Sequence, residues 1–218
     1  PPCSSFSMAG NRESDWGAEK VFREGQASQV LDTLFFDFID LAKKLQPKVV
    51  IAENVKGLLM GNAKSYVIEI YKQFDAAGYY VQHWILDASK MGVPQRRERV
   101  FFIALRKDLA GPFLKQVDMF TIAPELDLNF NEVEITFGEI ADNTDLSIKD
   151  NTAVSKYYDL VVEGQSFADK HPKGSFFGNY KTDHKKVLNT ILANESNGAW
   201  HYSIKRMLND KEIILAGS

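Results

Sequence analysis

A short apolar run, VVIA at residues 49–52, constrains the fold of this chain more than any other feature. It follows a helical pattern over residues 33–45, which Pro47 ends. A run of this kind is typical of a buried parallel strand, and Glu53 follows directly at its carboxyl end. Because ligands of open α/β sheets bind beyond the carboxyl ends of the strands, Glu53 is a candidate site residue by position alone.

Helices and strands alternate around this run. A second helix is predicted over residues 65–77, with Gly78 as its C-terminal cap, and strands are predicted over residues 79–86 and 100–104. The apolar side chains of the first helix share one face: Leu34, Phe38, Leu41 and Leu45. The order of these elements predicts an α/β fold for the first half of the chain.

The second half of the chain is less regular. From about residue 111 the helical periodicity fades and Gly, Asn and Asp accumulate, which predicts loops, short strands and one helix near residues 181–193. Near the end, Asn209 is followed three residues later by Glu212, the pattern of a capping box at the start of a helix.

Composition excludes several classes of protein. The chain has 218 residues, 44% of them hydrophobic, and a net charge of -3, which does not favour a nucleic-acid binder, although residues 90–106 are locally basic. A single cysteine cannot form an internal disulfide, and it fits a reducing, cytosolic setting. One cysteine and four scattered histidines do not suit a structural zinc site, so we expect no metal. We also expect no membrane span, since no apolar run is long enough.

Cys3 is that single cysteine, in the run PPCSSFS at residues 1–7. A thiolate is a strong nucleophile when nearby positive charge lowers its pKa, and two prolines before it stiffen the chain. The alternative interpretation is a small buried hydrophobic residue.

Glu53 also has two interpretations. In a closed pocket, desolvation would raise the pKa of its carboxyl group and let it donate a proton to a ring nitrogen. At the start of a helix, the same carboxylate would be solvated and would favour the helix dipole.

The third candidate group is the run QRRER at residues 95–99. If this run enters the strand predicted at residue 100, alternation places Arg97 and Arg99 on one face of the strand. Two guanidinium groups on one face suit the recognition of phosphate or carbonyl groups. The alternative is an exposed, charged strand edge that prevents aggregation.

In this order, residues 1–7, residues 53–55 (ENV) and residues 95–99 resemble three motifs of the DNA cytosine-5 methyltransferases. Residues 33–36 and 47–51 resemble the stretches between those motifs, and the resemblance resumes with RMLN at residues 206–209. The similarity is dense over the first 107 residues. It implies a methyl transfer from S-adenosylmethionine to carbon 5 of a cytosine that has been flipped out of the duplex.

The resemblance assigns catalytic roles to four residues. Cys3 would attack carbon 6 of the cytosine, and Glu53 would hold and protonate ring nitrogen 3. Arg99 would bind the carbonyl oxygen of the base. Arg97 would support the thiolate and the phosphate beside the flipped base. The resemblance also implies that residues 8–32 form a mobile loop that closes over DNA.

The resemblance further assigns binding roles. Ser7, Gln95 and Arg97 would contact DNA, and Pro1 and Leu34 would contact the cofactor, S-adenosylmethionine. Asn54, which follows Glu53 in the ENV run, is expected to shape the turn after the strand.

The resemblance implies an α/β fold that forms part of a Rossmann-like S-adenosylmethionine-dependent methyltransferase sheet, with a smaller, irregular target recognition region. Residues 1–110 would form the catalytic portion and residues 111–200 the target recognition region. Residues 201–218 would return to the catalytic portion.

The chain departs from the family pattern in three respects. Ser4 follows the cysteine where many members have glutamine, and no Gly-x-Gly occurs anywhere, so the glycine-rich cofactor turn is missing. The last motif of the family is also missing. We therefore expect an excised piece of a longer enzyme that is inactive alone.

Three other functions are alternatives to this one. An RNA methyltransferase of the transfer-RNA type would carry Cys-Phe-Thr near residues 54–59, and the chain does not. A non-catalytic DNA-binding remnant would lack an upstream cofactor turn, and a cysteine hydrolase would need a histidine positioned against Cys3. The favoured interpretation implies double-stranded DNA as partner, a possible companion restriction endonuclease, and a cytoplasmic location in a bacterial or phage-encoded modification system.

The missing glycine-rich turn leads to a first prediction. Because the turn would supply the main cofactor contacts, we expect this 218-residue chain alone to bind S-adenosylmethionine weakly or not at all. Calorimetric titration is the measurement, and a tight one-to-one complex would contradict the prediction.

Overall fold

The computed structural model describes eight ranges of the chain: residues 19–20, 29–30, 34–60, 63–116, 122–149, 152–176, 178–191 and 198–217. Pro1, Cys3 and Ser7, to which roles were assigned above, lie outside the described residues. None of the helices in these ranges has both the length and the apolar character that crossing a bilayer requires.

Contacts divide the chain into two compact units. The first contains the described residues up to Leu86 together with Glu98–Asn129, and the second contains Asp87–Arg97 together with the residues from Phe130 onward. These boundaries differ from the predicted ones, since the segment after residue 200 packs with the second unit.

The first unit contains a three-stranded sheet in the order β3-β5-β4, formed by β3 (Val49–Val55), β5 (Glu98–Arg106) and β4 (Tyr79–Asp87). β3 pairs antiparallel with β5, and Val49 lies opposite Leu105. The expectation of a parallel strand buried on both faces is therefore wrong for this pair. Burial alternates along β3, because an antiparallel sheet can leave one face outside the core.

Two helices pack in the same unit, α1 (Leu34–Leu45) and α2 (Lys64–Ala76). The predicted second helix is confirmed, and Gly78 follows it with a φ of 90°, a conformation that glycine adopts without strain. The buried side chains of α1 are Phe35, Ile39 and Ala42. Phe35 makes an edge-to-face contact with Phe102 of β5, with ring centroids 5.4 Å apart.

The face of α1 that the apolar pattern emphasised is largely exposed. Leu41 and Leu45 line a groove of about 230 Å³ together with Val49 and Ile51 of β3. Apolar periodicity identified the helix but not the side that enters the core, since both sides of α1 carry large apolar residues.

The remaining elements of the first unit are short. β1 (Glu19–Lys20) pairs antiparallel with β2 (Gln29–Val30), and β6 (Leu114–Gln116) pairs antiparallel with β7 (Ile122–Pro124). The second pair explains why residues just after 110 stay with the first unit.

The second unit has little regular structure in its described residues. Its elements are α3 (Phe137–Ile140), β8 (Tyr180–Lys181), β9 (Ala199–Trp200) and α4 (Asp210–Gly217). β8 and β9 pair in parallel. This irregularity agrees with the predicted character of the second half of the chain.

The helix predicted near residues 181–193 is wrong over the described residues 181–191. After β8, Asp183 accepts hydrogen bonds at its side chain from the amide of Lys185 (3.0 Å) and at its carbonyl from the amide of Lys186 (3.1 Å). An aspartate side chain that bonds to a backbone amide two residues on favours a turn over a helix.

A buried ion pair between Arg206 and Glu212 lies within the second unit. The guanidinium binds the carboxylate in bidentate fashion, with distances of 2.7 and 3.1 Å, and both residues are nearly inaccessible. Asn209 and Glu212 also form the predicted capping box of α4, with bonds of 2.9 and 3.0 Å between each side chain and the other residue's amide. The capping box is therefore confirmed, and its glutamate has a second partner that the local pattern did not indicate.

Electrostatics keep Glu212 ionised. Burial alone would raise the pKa of its carboxyl group, but the bonds from Arg206 and from backbone amides outweigh burial and hold that pKa below its usual range. A carboxylate with a lowered pKa stabilises the fold above its unfolded-state pKa, and this contribution is lost as the pH falls.

The substitution Glu212→Gln tests this network. It removes the bidentate counterion of the buried Arg206 guanidinium, whose Nε is still 3.5 Å from Asp145 Oδ2, so we expect the free energy of unfolding at neutral pH to fall by about 3 kcal/mol. We also expect the variant to lose less stability than the wild type when the pH falls below the ordinary glutamate value of 4.5. Chemical denaturation at several pH values measures both effects.

A matched control is Glu125→Gln, because Glu125 pairs with Lys115 at 2.8 Å on an exposed surface. Its loss should change stability by about 0.5 kcal/mol or less. Equal effects of the two substitutions would contradict the importance given to the buried pair.

Candidate active site

Strand pairing brings Glu53 and Arg99 together. Val55 lies opposite Arg99 in the register of β3 and β5, which places Glu53 within reach of the guanidinium. The distance from Arg99 Nε to Glu53 Oε1 is 2.9 Å. A carboxylate and a guanidinium that were predicted separately from two motifs therefore form one ion pair.

The pair is partly open to solvent. The side chain of Glu53 is 48% exposed and that of Arg99 is 21% exposed, so Glu53 does not have the closed surroundings that the sequence interpretation required. Arg99 also donates from Nη1 to the carbonyl of Glu98 at 2.8 Å, which further orients its planar group.

Asn54 lies beneath this pair on the buried side of β3. Its side-chain oxygen accepts a hydrogen bond from the amide of Val55 at 2.8 Å, a contact that fits the expected role in shaping the chain after the strand. Its amide nitrogen is buried and has no hydrogen-bond partner among the described residues.

Neighbouring charged residues have different partners. Glu98 pairs with Lys56 at 2.9 Å rather than with any of the three arginines of the motif, and both of these side chains are well exposed. β5 begins at Glu98, so Arg97 precedes the strand and the predicted alternation applies only from Glu98 onward.

Arg97 combines a fixed backbone with a free side chain. Its amide donates to Asp87 Oδ1 at 3.1 Å, and its carbonyl accepts from the amide of Ala88 at 3.2 Å. The side chain is exposed, and its guanidinium has no hydrogen bond or ion pair within the described ranges. A guanidinium in this state can bind a phosphate without first breaking another contact.

Gln95 is buried, with only 7% of its surface exposed. Its side-chain nitrogen donates to the carbonyl of Ala216 at 3.0 Å, and its oxygen accepts from the amide of Ile191 at 3.1 Å. Both ends of the amide group are therefore occupied by backbone groups, and the predicted contact with DNA stays a prediction.

Leu34, the predicted cofactor contact, is the first residue of α1 and is half-buried. An apolar side chain of this exposure can pack against a flat ring such as a purine. The other predicted cofactor contact, Pro1, is outside the described residues.

Sequence reasoning missed a cluster of Glu163, Asp183 and His184, whose possible ligand atoms lie within 4.8 Å of one another. His184 Nδ1 lies 2.5 Å from Glu163 Oε2, and Asp183 pairs with Lys186 at 3.1 Å. The amide of Lys185 is the main reason that the pKa of Asp183 is lowered. These side chains are joined by a hydrogen bond and paired with a lysine. The spacing of the residues in the sequence does not predict the cluster, because Glu163 is 21 residues from His184.

Comparison with known proteins identifies the family. The sequence profile described as C-5 cytosine-specific DNA methylase matches residues 1–215. The type II methyltransferase M.NgoFVII of Neisseria gonorrhoeae is 29% identical over 214 residues, which cover 92% of this chain and 53% of that protein. M.NgoPII of the same species is 41% identical over 113 residues, which cover 52% of this chain and 30% of that protein. The chain thus spans about half the length of the first relative and less of the second.

A solved structure has a similar fold. A protein assigned as a DNA modification methyltransferase, encoded within an E. coli prophage, superimposes with a TM-score of 0.58 at 17% identity, covering 85% of this chain and 63% of that one. This similarity confirms the predicted α/β class. With the profile matching nearly the whole sequence, the chain belongs to the C-5 cytosine-specific DNA methylase family.

Proposed function

We propose that this chain supplies the nucleophile and the cytosine-binding groups of a DNA cytosine-5 methyltransferase. The observation that carries the proposal is the Glu53–Arg99 pair at the carboxyl end of β3, at 2.9 Å, in a chain of this family. The proposed substrate is double-stranded DNA in the cytoplasm of a bacterium or of a phage-infected cell.

The pair has the right chemistry for one edge of a cytosine. Ring nitrogen 3 and the adjacent carbonyl oxygen are both hydrogen-bond acceptors in the neutral base. A protonated Glu53 can donate to the nitrogen, while Arg99 donates to the oxygen. Since Arg99 already orients Glu53, the two groups reach the base in a set arrangement.

In the proposed reaction, Cys3 is the nucleophile and Glu53 is the proton donor. The Cys3 thiolate forms a bond to carbon 6, the ring electrons move toward nitrogen 3, and Glu53 transfers its proton there. This makes carbon 5 nucleophilic. After methylation, a water molecule accepts the carbon-5 proton, and the electron pair of that C–H bond restores the 5,6 double bond. The thiolate leaves carbon 6 with the C–S electron pair, and the proton on nitrogen 3 returns to Glu53.

The methyl group requires S-adenosylmethionine, which carries an electrophilic methyl on its sulfonium when bound. Among the described residues, the half-buried Leu34 suits a contact with its adenine ring. That single contact fits the cofactor but is too little to hold it, so the remaining contacts are expected in the rest of the enzyme.

Arg97 is proposed to bind a phosphate beside the target base, because its exposed guanidinium has no partner among the described residues while its backbone is held. Such a contact positions the duplex without reading its sequence. A companion restriction endonuclease is part of the proposal as well, since M.NgoFVII and M.NgoPII are type II methyltransferases.

Covalent trapping tests the reaction. We expect the full-length enzyme, given S-adenosylmethionine, to form a denaturation-resistant complex with DNA that contains 5-fluorocytosine at its site. Fluorine on carbon 5 blocks the final elimination, so the bond to Cys3 persists. Denaturing gel electrophoresis measures the complex, and Cys3→Ser should abolish it. A complex that survives Cys3→Ser would exclude Cys3 as the nucleophile.

The role of Glu53 has its own test. Glu53→Gln keeps the shape of the side chain but removes the proton donor, so we expect the trapping rate to fall by about 10²–10⁴-fold. Glu98→Gln is the matched control, because Glu98 is next to Arg99 in sequence but pairs with Lys56. Single-turnover trapping of both variants makes the measurement, and equal rates would remove Glu53 from the proton transfer.

A further inference from the structure

Four hydrogen bonds tie the arginine motif to two distant parts of the second unit. Residues 188–191 run beside Gln95 and Arg96, with Gln95 and Leu188 forming a parallel bridge. The Arg96 amide donates to the carbonyl of Leu188 at 2.8 Å, and the Thr190 hydroxyl donates to the carbonyl of Arg96 at 2.7 Å. The Gln95 side chain adds the bonds to Ile191 and Ala216 described above.

Burial differs among these bonds. Gln95 and Leu188 are both buried, so water competes little for their polar groups, whereas the bond from the Thr190 hydroxyl to the Arg96 carbonyl is exposed and depends on its short distance of 2.7 Å. A buried amide that loses one partner costs free energy because it cannot recover that bond from solvent. The backbone of Arg96 is therefore held at both its amide and its carbonyl.

The backbone of Arg97 is held by a different segment of the chain, residues 87 and 88. Asp87 and Ala88 bind the amide and the carbonyl of Arg97, so the two consecutive arginines have fixed backbones. Both side chains are nevertheless exposed: that of Arg96 is 61% exposed and makes a long ion pair with Asp87 at 4.0 Å, and that of Arg97 makes no hydrogen bond or ion pair among the described residues. Contacts that fix the backbone and leave the guanidinium groups exposed are those expected of a support for ligand-binding groups.

We propose that Gln95 and Thr190 are positioning residues that set the backbone of Arg96 and Arg97 from residues 188–191, a segment of the predicted target recognition region. Arg97 is followed directly by β5, which begins at Glu98 and contains Arg99. The proposal rests on the proposed function. In it, residues 188–191 help to position the arginine motif, in addition to any part they have in recognising the DNA sequence.

Thr190 provides the cleaner test, because Gln95→Leu would leave buried backbone groups unpaired and risks misfolding. Thr190→Val removes the hydroxyl but keeps the volume and the branched shape. Thr190→Ser keeps the hydroxyl and loses a methyl group. Thr144→Val is the control, since the Thr144 hydroxyl bonds to Asp142 at 2.6 Å on an exposed part of the same unit.

The measurement is single-turnover methylation and 5-fluorocytosine trapping by the full-length enzyme, with melting temperatures recorded beside them. We expect Thr190→Val to lower the rate of the covalent step about tenfold at saturating DNA, with a melting temperature close to that of the wild type. Thr190→Ser should restore most of the rate, and Thr144→Val should match the wild type.

Two outcomes overturn the proposal. One is an unchanged rate in Thr190→Val, and the other is a loss that Thr190→Ser does not restore, which would indicate packing rather than the hydrogen bond. Failure of the wild type to trap DNA would instead overturn the proposed function, so the two failures are distinguishable.

Discussion

The pairing of β3 with β5 is the interaction on which the candidate active site depends. One face of the pair is buried, with Val50 and Ala52 of β3 against a core that includes Val100 and Phe102 of β5. A slip of one residue would turn that apolar face to solvent, so burial sets the register. Glu53 lies on the opposite face, and its distance to Arg99 is a consequence of a register that the core determines. The chemistry of the site is thus positioned by side chains that take no part in it.

In the second unit, the position of α4 depends on a buried ion pair. The bidentate pair of Arg206 and Glu212 holds the start of α4, and Ala216, one turn after Glu212, is fully buried on the same helix. The carbonyl of Ala216 accepts the bond from Gln95. Buried ion pairs are weak evidence for net stability, because desolvation offsets much of their attraction. Here the pair has a geometric consequence, since it fixes the helix that supports the arginine motif.

Local signals in the sequence predicted much of this structure. The second helix, its glycine cap and the Asn209–Glu212 capping box all depend on residues within a few positions of one another, and all three were found. The buried face of α1 and the antiparallel pairing of β3 were not predicted, because they depend on partners far away in the chain. The turn after β8 was missed although its signal is local, the bond from the Lys185 amide to the Asp183 side chain. The site divides in the same way: Glu53 and Arg99 were named from motifs, whereas their ion pair required the strand register.

The run from Gln95 to Arg99 shows why a motif is not a single functional group. Its first three residues belong to the second unit and its last two to the first unit. Gln95 has a buried amide, Arg97 has an exposed guanidinium and Arg99 forms an ion pair. The contacts of Arg99 use two different nitrogens, Nε toward Glu53 and Nη1 toward the carbonyl of Glu98. A lysine carries one nitrogen on a flexible stem, so it could keep the charge of Arg99 without keeping the orientation of Glu53. The requirement at this position is therefore for a planar fork and not only for a positive charge.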